Sequence, residues 1–186
     1  MDAKRNRQTP ASDPVHQKAF FKQPGIIGVT GHRLDRLTPQ HEAHLVDICR
    51  ELFAEVDPDC ALLSCLAEGT DTILAEQWPQ DRTLLGLLPT DVAGWRAHIS
   101  HVLAPARFDA LVTRARVACL EQTPPIDWSA LAGALVARSD RILAVWDGEV
   151  GKPGGTGSVV RQALREVKPV LHLKYEVDGF SWGSRA

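Results

Sequence analysis

The length and composition of the chain indicate a single globular domain. Its 186 residues are about one domain's worth. Apolar residues make up 44% of the chain and charged residues 24%, which are ordinary values for a globular protein and exclude collagen, coiled coil and full disorder. No stretch approaches the roughly 18 consecutive apolar residues that span a membrane, so we expect no membrane partner.

The charge of the chain is small but unevenly distributed. The formal net charge is −2, and residues 1–22 contribute +3 to it, so the remainder carries −5. An acidic body argues against nucleic acid as a partner, because the neutralisation of phosphates requires a basic surface. The competing interpretation is an interaction module that binds DNA or protein through the basic arm at residues 1–22.

The cysteines and the start of the chain indicate a reducing compartment. Cys49, Cys60, Cys65 and Cys119 lack the paired C-x-x-C spacing of a zinc site. Cys60 and Cys65 flank an apolar run, which favours buried thiols. Because no apolar segment follows the basic start, that start is not a signal peptide, and we expect a cytoplasmic protein.

Two pairs of histidines have a spacing at which helices can bind metal ions. His41 and His44 form one pair, and His98 and His101 form the other. Neither pair has an evident third or fourth ligand. We therefore expect solvated histidines and no metal site.

The first half of the chain begins with a polar arm and continues with alternating strands and helices. Residues 1–23 are expected to form a disordered or partly helical basic arm. Thr38 is expected to cap a helix that has Pro39 at its first position. Short apolar runs predict strands at 26–29, 61–63 and 83–88. Capping residues and helical periodicity predict further helices at 70–77 and 91–103.

The second half continues the alternation after a less regular stretch. Residues 104–128 are hard to assign, and we expect them to cover a ligand. Residues 24–175 are predicted to be one domain, followed by a C-terminal tail at 176–186. The predicted helices are 109–121, 129–138 and 155–167. The predicted strands are 141–146 and 169–173.

The alternation of strands and helices defines the expected fold class. The strands are almost continuously apolar, which is typical of a parallel sheet that is covered on both faces. We therefore predict an α/β fold, a Rossmann-like three-layer sandwich with a mainly parallel sheet of about five or more strands. In such folds ligands bind beyond the carboxyl ends of the strands, so the segments that follow strands are the candidate sites.

The first candidate segment follows the first strand and consists of Gly28, Thr30, Gly31, His32 and Arg33. Small residues allow a ligand to approach the backbone. Thr30 and Arg33 are residue types that hold a phosphate or a carboxylate. The alternative is a tight strand exit with a solvated arginine.

The second candidate segment follows the second strand and contains Ser64, Ala67, Glu68, Gly69 and Asp71. A turn of this kind places backbone N–H groups against an anion or a ribose. Asp71 is either a ligand contact or only a helix cap. Glu68 is either a general acid or base or a solvated surface residue. No G-x-S-x-G frame marks Ser64 as a nucleophile.

The third candidate segment, at residues 147–158, is the strongest because five glycines lie there between a strand and a helix. Backbone amides and a helix N-terminus at such a junction bind phosphate. The segment is not a Walker A loop, because Pro153 follows Lys152. The alternative is a flexible loop. The candidate ligand residues are Asp147, Gly154, Gly155, Thr156, Gly157 and Ser158, with Lys152 as an additional contact.

One aromatic residue outside these segments is a further candidate. Trp128 lies in the irregular region and is either a platform for a base or a core residue.

In this order the three segments resemble the SLOG superfamily, which unites the core of the bacterial DNA-processing protein A with the Lonely Guy proteins, once called lysine decarboxylases. Ser64-x-x-Ala67-x-Gly69-x-Asp71 looks like the Ser-Gly-x-Ala-x-Gly-x-Asp stretch of the DNA-processing branch. The segment 28–33 is similar to its first Gly-Ser-Arg turn. The strand at 139–148, followed by 154–158, resembles the last strand and Pro-Gly-Gly-x-Gly-Thr loop of the superfamily.

The resemblance covers about residues 25–174 and implies a Rossmann-like nucleotide-binding fold that is often dimeric. Two positions depart from the family pattern. Cys65 stands where the DNA-processing pattern has glycine, and Val160 stands where the Lonely Guy proteins have a catalytic glutamate. A valine cannot move a proton, so the nucleotide phosphoribohydrolase activity of that branch is not expected from this position.

Three functions follow from the sequence as hypotheses. The leading one is a sensor or recognition module that binds a small phosphorylated ligand, a nucleotide or nucleotide derivative, without a required cofactor. The second is a nucleotide N-glycosidase in which Glu68 or Asp71 stabilises the ribosyl cation. The third is the interaction module with the basic arm.

Overall fold

The computed structural model describes residues 14–100, 104–149 and 151–182. The helices are α1 (Pro14–Phe21), α2 (Pro39–Phe53), α3 (Thr70–Gln77), α4 (Val92–Ala97), α5 (Ala104–Arg114), α6 (Trp128–Ala137) and α7 (Thr156–Arg165). The strands are β1 (Gly25–Gly31), β2 (Cys60–Ser64), β3 (Thr83–Leu88), β4 (Arg116–Cys119), β5 (Arg141–Trp146), β6 (Val170–Glu176) and β7 (Gly179–Trp182).

The strands form one sheet in the order β4-β3-β2-β1-β5-β6-β7. All neighbours are parallel except β6 and β7, which pair antiparallel. The chain builds outward from β1 to β4 on one side and then continues with β5 on the other side of β1. The strand order therefore reverses between β1 and β5, and this reversal is the place where ligands bind in open α/β sheets.

Helices cover both faces of the sheet, as the apolar strands predict. On one face, Leu45 of α2, Ile73 of α3 and Phe108 of α5 belong to the larger core cluster. On the other face, Leu135 of α6 and Val160 of α7 belong to a second cluster. Burial of apolar surface on both faces is the main stabilising contribution to such a sandwich. The predicted Rossmann-like three-layer sandwich is confirmed.

The predicted helix at 109–121 is wrong. Helix α5 ends at Arg114, and Arg116–Cys119 forms β4, an edge strand that pairs parallel with β3. Its apolar residues, Val117, Ala118 and Cys119, are few and mostly exposed, and no glycine or proline separates them from α5, so the sequence favours a continuous helix. The predicted helix at 91–103 is also shorter than expected, because α4 ends at Ala97 and residues 101–103 lie outside the described residues.

Both ends of the domain contain ordered elements that the sequence did not predict fully. In the predicted arm, residues 14–21 form α1, and Phe21 is buried against the ring of Phe53 at 5.5 Å. Residues 1–13 of the arm lie outside the described residues. In the predicted tail, β7 pairs with β6 and completes the sheet.

The cap of α2 explains the position of the first histidine pair. Thr38 caps the helix as predicted, and its Oγ1 accepts a hydrogen bond from the N–H of His41 at 3.2 Å. His41 is buried, and its Nε2 lies 3.1 Å from the carbonyl oxygen of Glu176. The expectation of a solvated histidine is therefore wrong for His41. His44 and His98 are exposed, and His101 lies outside the described residues.

The cysteines have the burial that the sequence indicates. Cys60 and Cys65 are buried thiols, as predicted; Cys49 is buried as well, and Cys119 is exposed on β4. Burial raises the pKa of the Cys65 thiol well above its usual value. Within the described ranges, no group of three or more His, Cys, Asp or Glu residues is arranged to hold a metal ion. None of the described helices has the length and apolar character needed to cross a membrane.

Candidate functional site

A cavity of about 680 Å³ opens at the carboxyl edge of the sheet, where β1, β2 and β5 end. This volume falls within the range of roughly 300–1,000 Å³ that is typical of small-molecule sites. The cavity lies at the reversal of strand order between β1 and β5. Leu131, Leu135 and Val159 from the two helices on that face give it an apolar wall.

The cavity brings together residues from all three candidate segments. The lining includes the end of β1, the turn after β2 and the loop between β5 and α7. The predicted residues in the lining are Thr30, Gly31, His32, Arg33, Ala67, Glu68, Asp71, Asp147, Gly154, Gly155, Thr156 and Gly157, and Lys152 joins them.

Four predicted residues, Gly28, Ser64, Gly69 and Ser158, lie behind the cavity wall. A Cβ added at Gly28 would approach Ser139 Oγ to 2.2 Å, so this glycine is needed for packing. Ser158 supports the loop, because its Oγ accepts a hydrogen bond from the N–H of Gly154 at 3.1 Å.

The N-terminus of α7 presents unpaired backbone donors to the cavity. Gly155 is the N-cap residue, and its carbonyl accepts hydrogen bonds from the N–H groups of Ser158 and Val159. No acceptor among the described residues faces the N–H groups of Thr156 and Gly157. The first turn of a helix leaves such groups unsatisfied and carries a partial positive charge, so this end of α7 is suited to an anion.

Two hydroxyls and two cations surround the same end of α7. Thr30 Oγ1 and Thr156 Oγ1 lie 3.5 Å apart across the gap between β1 and α7. Lys152 and Arg33 are both exposed at the cavity. The Arg33 guanidinium lies over the ring of Trp128, 5.2 Å from its centroid. The arrangement combines backbone, hydroxyl and charged donors, the groups that proteins use to bind phosphate.

Asp71 is a buried carboxyl group in the cavity wall. Its Oδ2 accepts hydrogen bonds from the N–H of Cys65 at 3.1 Å and from Ser64 Oγ at 3.3 Å. Burial outweighs these hydrogen bonds and the charge of Arg33, and it raises the pKa of Asp71 to about 7. The side chain does not cap α3, whose N-cap residue is Gly69. Asp71 can therefore exchange a proton near neutral pH.

Glu68 is held by a neighbouring loop. Its carboxylate accepts hydrogen bonds from the backbone N–H of Ser100 at 3.1 Å and from Ser100 Oγ at 3.0 Å. These contacts tie the turn after β2 to the segment that follows α4. Glu68 therefore lines the cavity as a positioned carboxylate, in contrast to the solvated glutamate that was one of the sequence interpretations.

A polar group closes the β5 side of the cavity. Asp147 Oδ2 lies 2.9 Å from Arg36 Nη1 and 3.2 Å from His32 Nε2. His32 is buried, and burial is the main reason that its pKa is lowered, although the charge of Asp147 acts in the opposite direction. The neutral imidazole and the ion pair fix the ends of β1 and β5 to each other.

Two lining residues, Trp95 and Trp146, were not predicted as site residues. Trp146 is the last residue of β5, and this position at a strand end is the signal that indicates it. Trp95 Nε1 donates a hydrogen bond to the carbonyl of Cys65 at 2.9 Å, a contact that no sequence pattern shows. Of the stretch 104–128, only Trp128 lines the cavity, so the expectation that this stretch covers the ligand is wrong for α5 and β4.

The fold and the cavity define a Rossmann-like α/β protein with a potential ligand site at the point where the strand order reverses. No protein-family model and no curated protein matches the chain. Several solved structures do match it.

DNA processing protein A from Helicobacter pylori is 19% identical, with a TM-score of 0.60, and the match covers 92% of this chain and 73% of that protein. The Streptococcus pneumoniae protein of the same name is 15% identical, with a TM-score of 0.56, over 84% of this chain; the chain spans about half (52%) of that protein. The Moco carrier protein from Chlamydomonas reinhardtii is 18% identical, with a TM-score of 0.52, over 84% of this chain and 80% of that protein. These likenesses confirm, for the fold alone, the predicted resemblance to DNA processing protein A.

The exclusion of nucleic acid as a partner is wrong. The Helicobacter pylori protein, which has the same fold, is described by its single-stranded DNA binding mode. That expectation rested on the summed charge of the acidic body, and a summed charge does not report the charge at one site. Here Arg33 and Lys152 are exposed cations at the cavity even though the whole chain is acidic.

Proposed function

We propose that the chain binds a nucleotide or a nucleotide-derived ligand in the cavity at the carboxyl edge of its sheet, as a sensor or recognition module. The observation that carries the proposal is the convergence of unpaired helix N–H groups, paired hydroxyls and exposed cations on one side of the cavity. The other walls combine apolar and aromatic side chains with the carboxyl groups of Glu68, Asp71 and Asp147. A nucleotide has the same division between an anionic phosphate and a planar base.

The phosphate is assigned to the N-terminus of α7. The N–H groups of Thr156 and Gly157, together with the hydroxyls of Thr30 and Thr156, supply donors without a conformational change in the helix. Lys152 adds a charge from the preceding loop. Helix N-termini bind phosphate by this combination of free donors and helix dipole.

The base is assigned to the Arg33 and Trp128 side of the cavity. Trp128 is half-buried, so one part of its ring is accessible, and Arg33 lies over it. Aromatic rings and guanidinium planes both stack on nucleobases, at roughly 1–3 kcal/mol per stacked base. Arg33 would then contact either the base or the phosphate.

A recognition module is favoured over the N-glycosidase because this chain has no glutamate at the position where the Lonely Guy proteins have their catalytic glutamate. Val160 occupies it and is buried in the core beneath α7. Glu68 is engaged by Ser100, and Asp71 is engaged by Ser64 and Cys65. These carboxylates have structural partners in the absence of substrate.

Single-stranded DNA is the second candidate ligand. The pair of Arg33 and Trp128 favours it, because proteins bind single strands by combining cations with aromatic platforms. The binding of single-stranded DNA by the Helicobacter pylori protein supports the same candidate. Competition between ADP and a ten-residue thymidine strand would show whether the two ligands share the cavity.

The experiment that tests the proposal is calorimetric titration with ADP and with adenosine, which lacks phosphate. We expect ADP to bind and adenosine to bind at least about tenfold more weakly, since charge-assisted hydrogen bonds are the strong ones. Thr156→Val and Arg33→Gln should each weaken ADP binding about tenfold. The matched controls are Thr113→Val and Arg50→Gln, at exposed positions on α5 and α2.

Failure of ADP to bind would contradict the proposal, and so would either of two further results. One is binding of adenosine as tightly as ADP, since the phosphate would then contribute nothing. The other is unchanged ADP affinity in both Thr156→Val and Arg33→Gln.

A further inference from the structure

We propose that the ligand has two planar rings, one on each side of its phosphate, and that Trp128 and Trp146 each stack on one of them. The inference rests on the proposed function and specifies the class of ligand: a dinucleotide or a comparable two-ring compound.

The first observation is the concentration of tryptophan at the cavity. The chain has five tryptophans, and three of them, Trp95, Trp128 and Trp146, are in the lining. Of the other two, Trp78 is buried in the core and Trp182 lies on β7. Trp95 is itself buried, so the ring surface offered to a ligand comes from Trp128 and Trp146, which are half-buried. Tryptophan offers the largest apolar face of any side chain, so these two rings indicate that the ligand has planar apolar surface.

The second observation is the position of these rings along the edge of the sheet. Trp95 donates a hydrogen bond to the carbonyl of Cys65, just after β2. The ring centroid of Trp128 lies 5.9 Å from that of Trp95. Trp146 is at the end of β5. Strand β1 lies between β2 and β5, and its Thr30 faces Thr156 at the start of α7. The phosphate-binding groups are therefore between the two aromatic ends.

The spacing of the strands gives the scale of this arrangement. Neighbouring strands lie about 4.8 Å apart, so the ends of β2 and β5 are about 10 Å apart on either side of β1. Trp128 and Trp146 both pack against the core cluster beneath α6 and α7, and Trp128 also packs against the cluster on the other face, to which Trp95 belongs. A ligand whose phosphate is bound at the start of α7 can thus extend toward both rings.

The third observation is that each aromatic end has its own polar groups. At the first end Arg33 lies over Trp128. At the second end Trp146 Nε1 donates to the carbonyl of Glu149 at 2.8 Å, and Asp147 is the next residue. Polar groups at the edge of a stacked ring provide hydrogen bonds to the ring substituents, which is how nucleobases are distinguished.

Two rings around a phosphate occur both in free dinucleotides and in adjacent nucleotides of a single strand. The test therefore compares ADP, which has one ring, with diadenosine diphosphate and with a ten-residue thymidine strand. Calorimetric titrations use the wild type, Trp128→Ala and Trp146→Ala. Trp146→Phe retains a ring, and Trp182→Ala is the matched control outside the cavity.

We expect diadenosine diphosphate to bind the wild type about tenfold more tightly than ADP. Either alanine substitution leaves one ring for both ligands, so it should reduce this ratio to about one. Trp128→Ala should also weaken the binding of ADP itself, whose base is assigned to Trp128. Trp146→Phe should restore part of the ratio, and Trp182→Ala should not change it. Tighter binding of the thymidine strand than of diadenosine diphosphate, with the same dependence on both tryptophans, would assign the two rings to a strand.

The two-ring inference is overturned, and the proposed function stands, if ADP binds as tightly as diadenosine diphosphate and the strand. The same conclusion follows if the two-ring ligands bind more tightly than ADP but both alanine variants keep this difference in affinity. If the wild type binds neither ADP nor the two-ring probes, both proposals are overturned.

Discussion

Glycines at two parts of the carboxyl edge have different roles. At the ends of β1 and β2, a Cβ added at Gly31 or Gly69 would lie 2.5 Å from atoms of Thr70 or His32, respectively. In the loop after β5, a Cβ at Gly148 would meet nothing within 4 Å, and a Cβ at Gly151 would meet only a carbonyl at 3.9 Å, whereas a Cβ at Gly154 would collide with Trp128. The first region is closed by packing, and the second is open from Gly148 to Gly151.

The difference shows that glycine near a strand end does not by itself indicate a ligand contact. Gly31 and Gly69 allow β1 and α3 to approach each other, and the N–H of Thr70 donates to the carbonyl of His32 at 3.0 Å. The closed region supports the site, whereas the open part of the loop, Gly148 to Gly151, precedes Gly154, which packs against Trp128 just before α7. Substitutions in the closed region should therefore affect stability, and substitutions in the open region should affect binding.

The largest expected effect is that of Gly69→Ala. Gly69 has φ +107° and faces the backbone of His32, so an alanine there is both strained and in collision. We expect the free energy of unfolding to fall by about 4 kcal/mol in urea denaturation. Gly148→Ala is the matched control, because its φ of +94° is also positive but its surroundings are empty. The free energy of unfolding of Gly148→Ala should fall by only about 1 kcal/mol. Equal losses in Gly69→Ala and Gly148→Ala would contradict the distinction between the closed and the open region.

Asp71 provides a pH-dependent test of the closed region. Burial there raises the pKa of the Asp71 carboxyl group from 3.8 to about 7. Between these values the folded state holds a proton that the unfolded state has lost, so the free energy of unfolding decreases as pH rises from about 4 to 7. From pH 5 to pH 8 this contribution should be about 3 kcal/mol. Urea denaturation of Asp71→Asn should show a pH dependence that is smaller by this amount.

Asn retains a carbonyl oxygen that accepts hydrogen bonds from Ser64 and Cys65, so Asp71→Asn is expected to fold. If wild type and Asp71→Asn lose the same stability between pH 5 and pH 8, the carboxyl group is not protonated in the folded protein at pH 5.

Lys152→Ala in the open loop should have the smallest effect. Lys152 is exposed, so its removal should leave the free energy of unfolding within about 0.5 kcal/mol of the wild type. ADP binding should weaken about threefold at low salt and less at high salt, because exposed charges are screened. Lys174→Ala on β6 is the control. A loss of stability without a loss of affinity in Lys152→Ala would place Lys152 in the closed region.

Most of the fold could be predicted because its signals are local. The apolar runs that become β1, β2, β3 and β5 are buried on both faces, which is the condition that gives a strand an uninterrupted apolar sequence. Strand β4 has a short apolar run, but no glycine or proline separates it from α5, so the sequence predicts the end of that helix there. It lies at the sheet edge and its side chains are mostly exposed. Phe21 was missed because its partner Phe53 is distant in the chain.

The candidate site was predictable where its residues follow strands directly, as Arg33 and Thr156 show. Trp95 and Trp146 were missed because a tryptophan that faces a cavity and one that faces the core look the same in sequence. Trp146 ends β5, and only the contact of Trp128 with Trp95 places Trp128 near the end of β2, on the other side of β1. The partner prediction failed for a related reason, since a net charge carries no positional information.

The central claim is that the start of α7 binds phosphate, and a crystal structure of the protein with ADP tests it most directly. The predicted result is a phosphate oxygen within hydrogen-bond distance of the N–H groups of Thr156 or Gly157, with Thr30 Oγ1 as a further donor. A phosphate bound outside the cavity, or ADP whose phosphates make no contact with the start of α7, would contradict the claim.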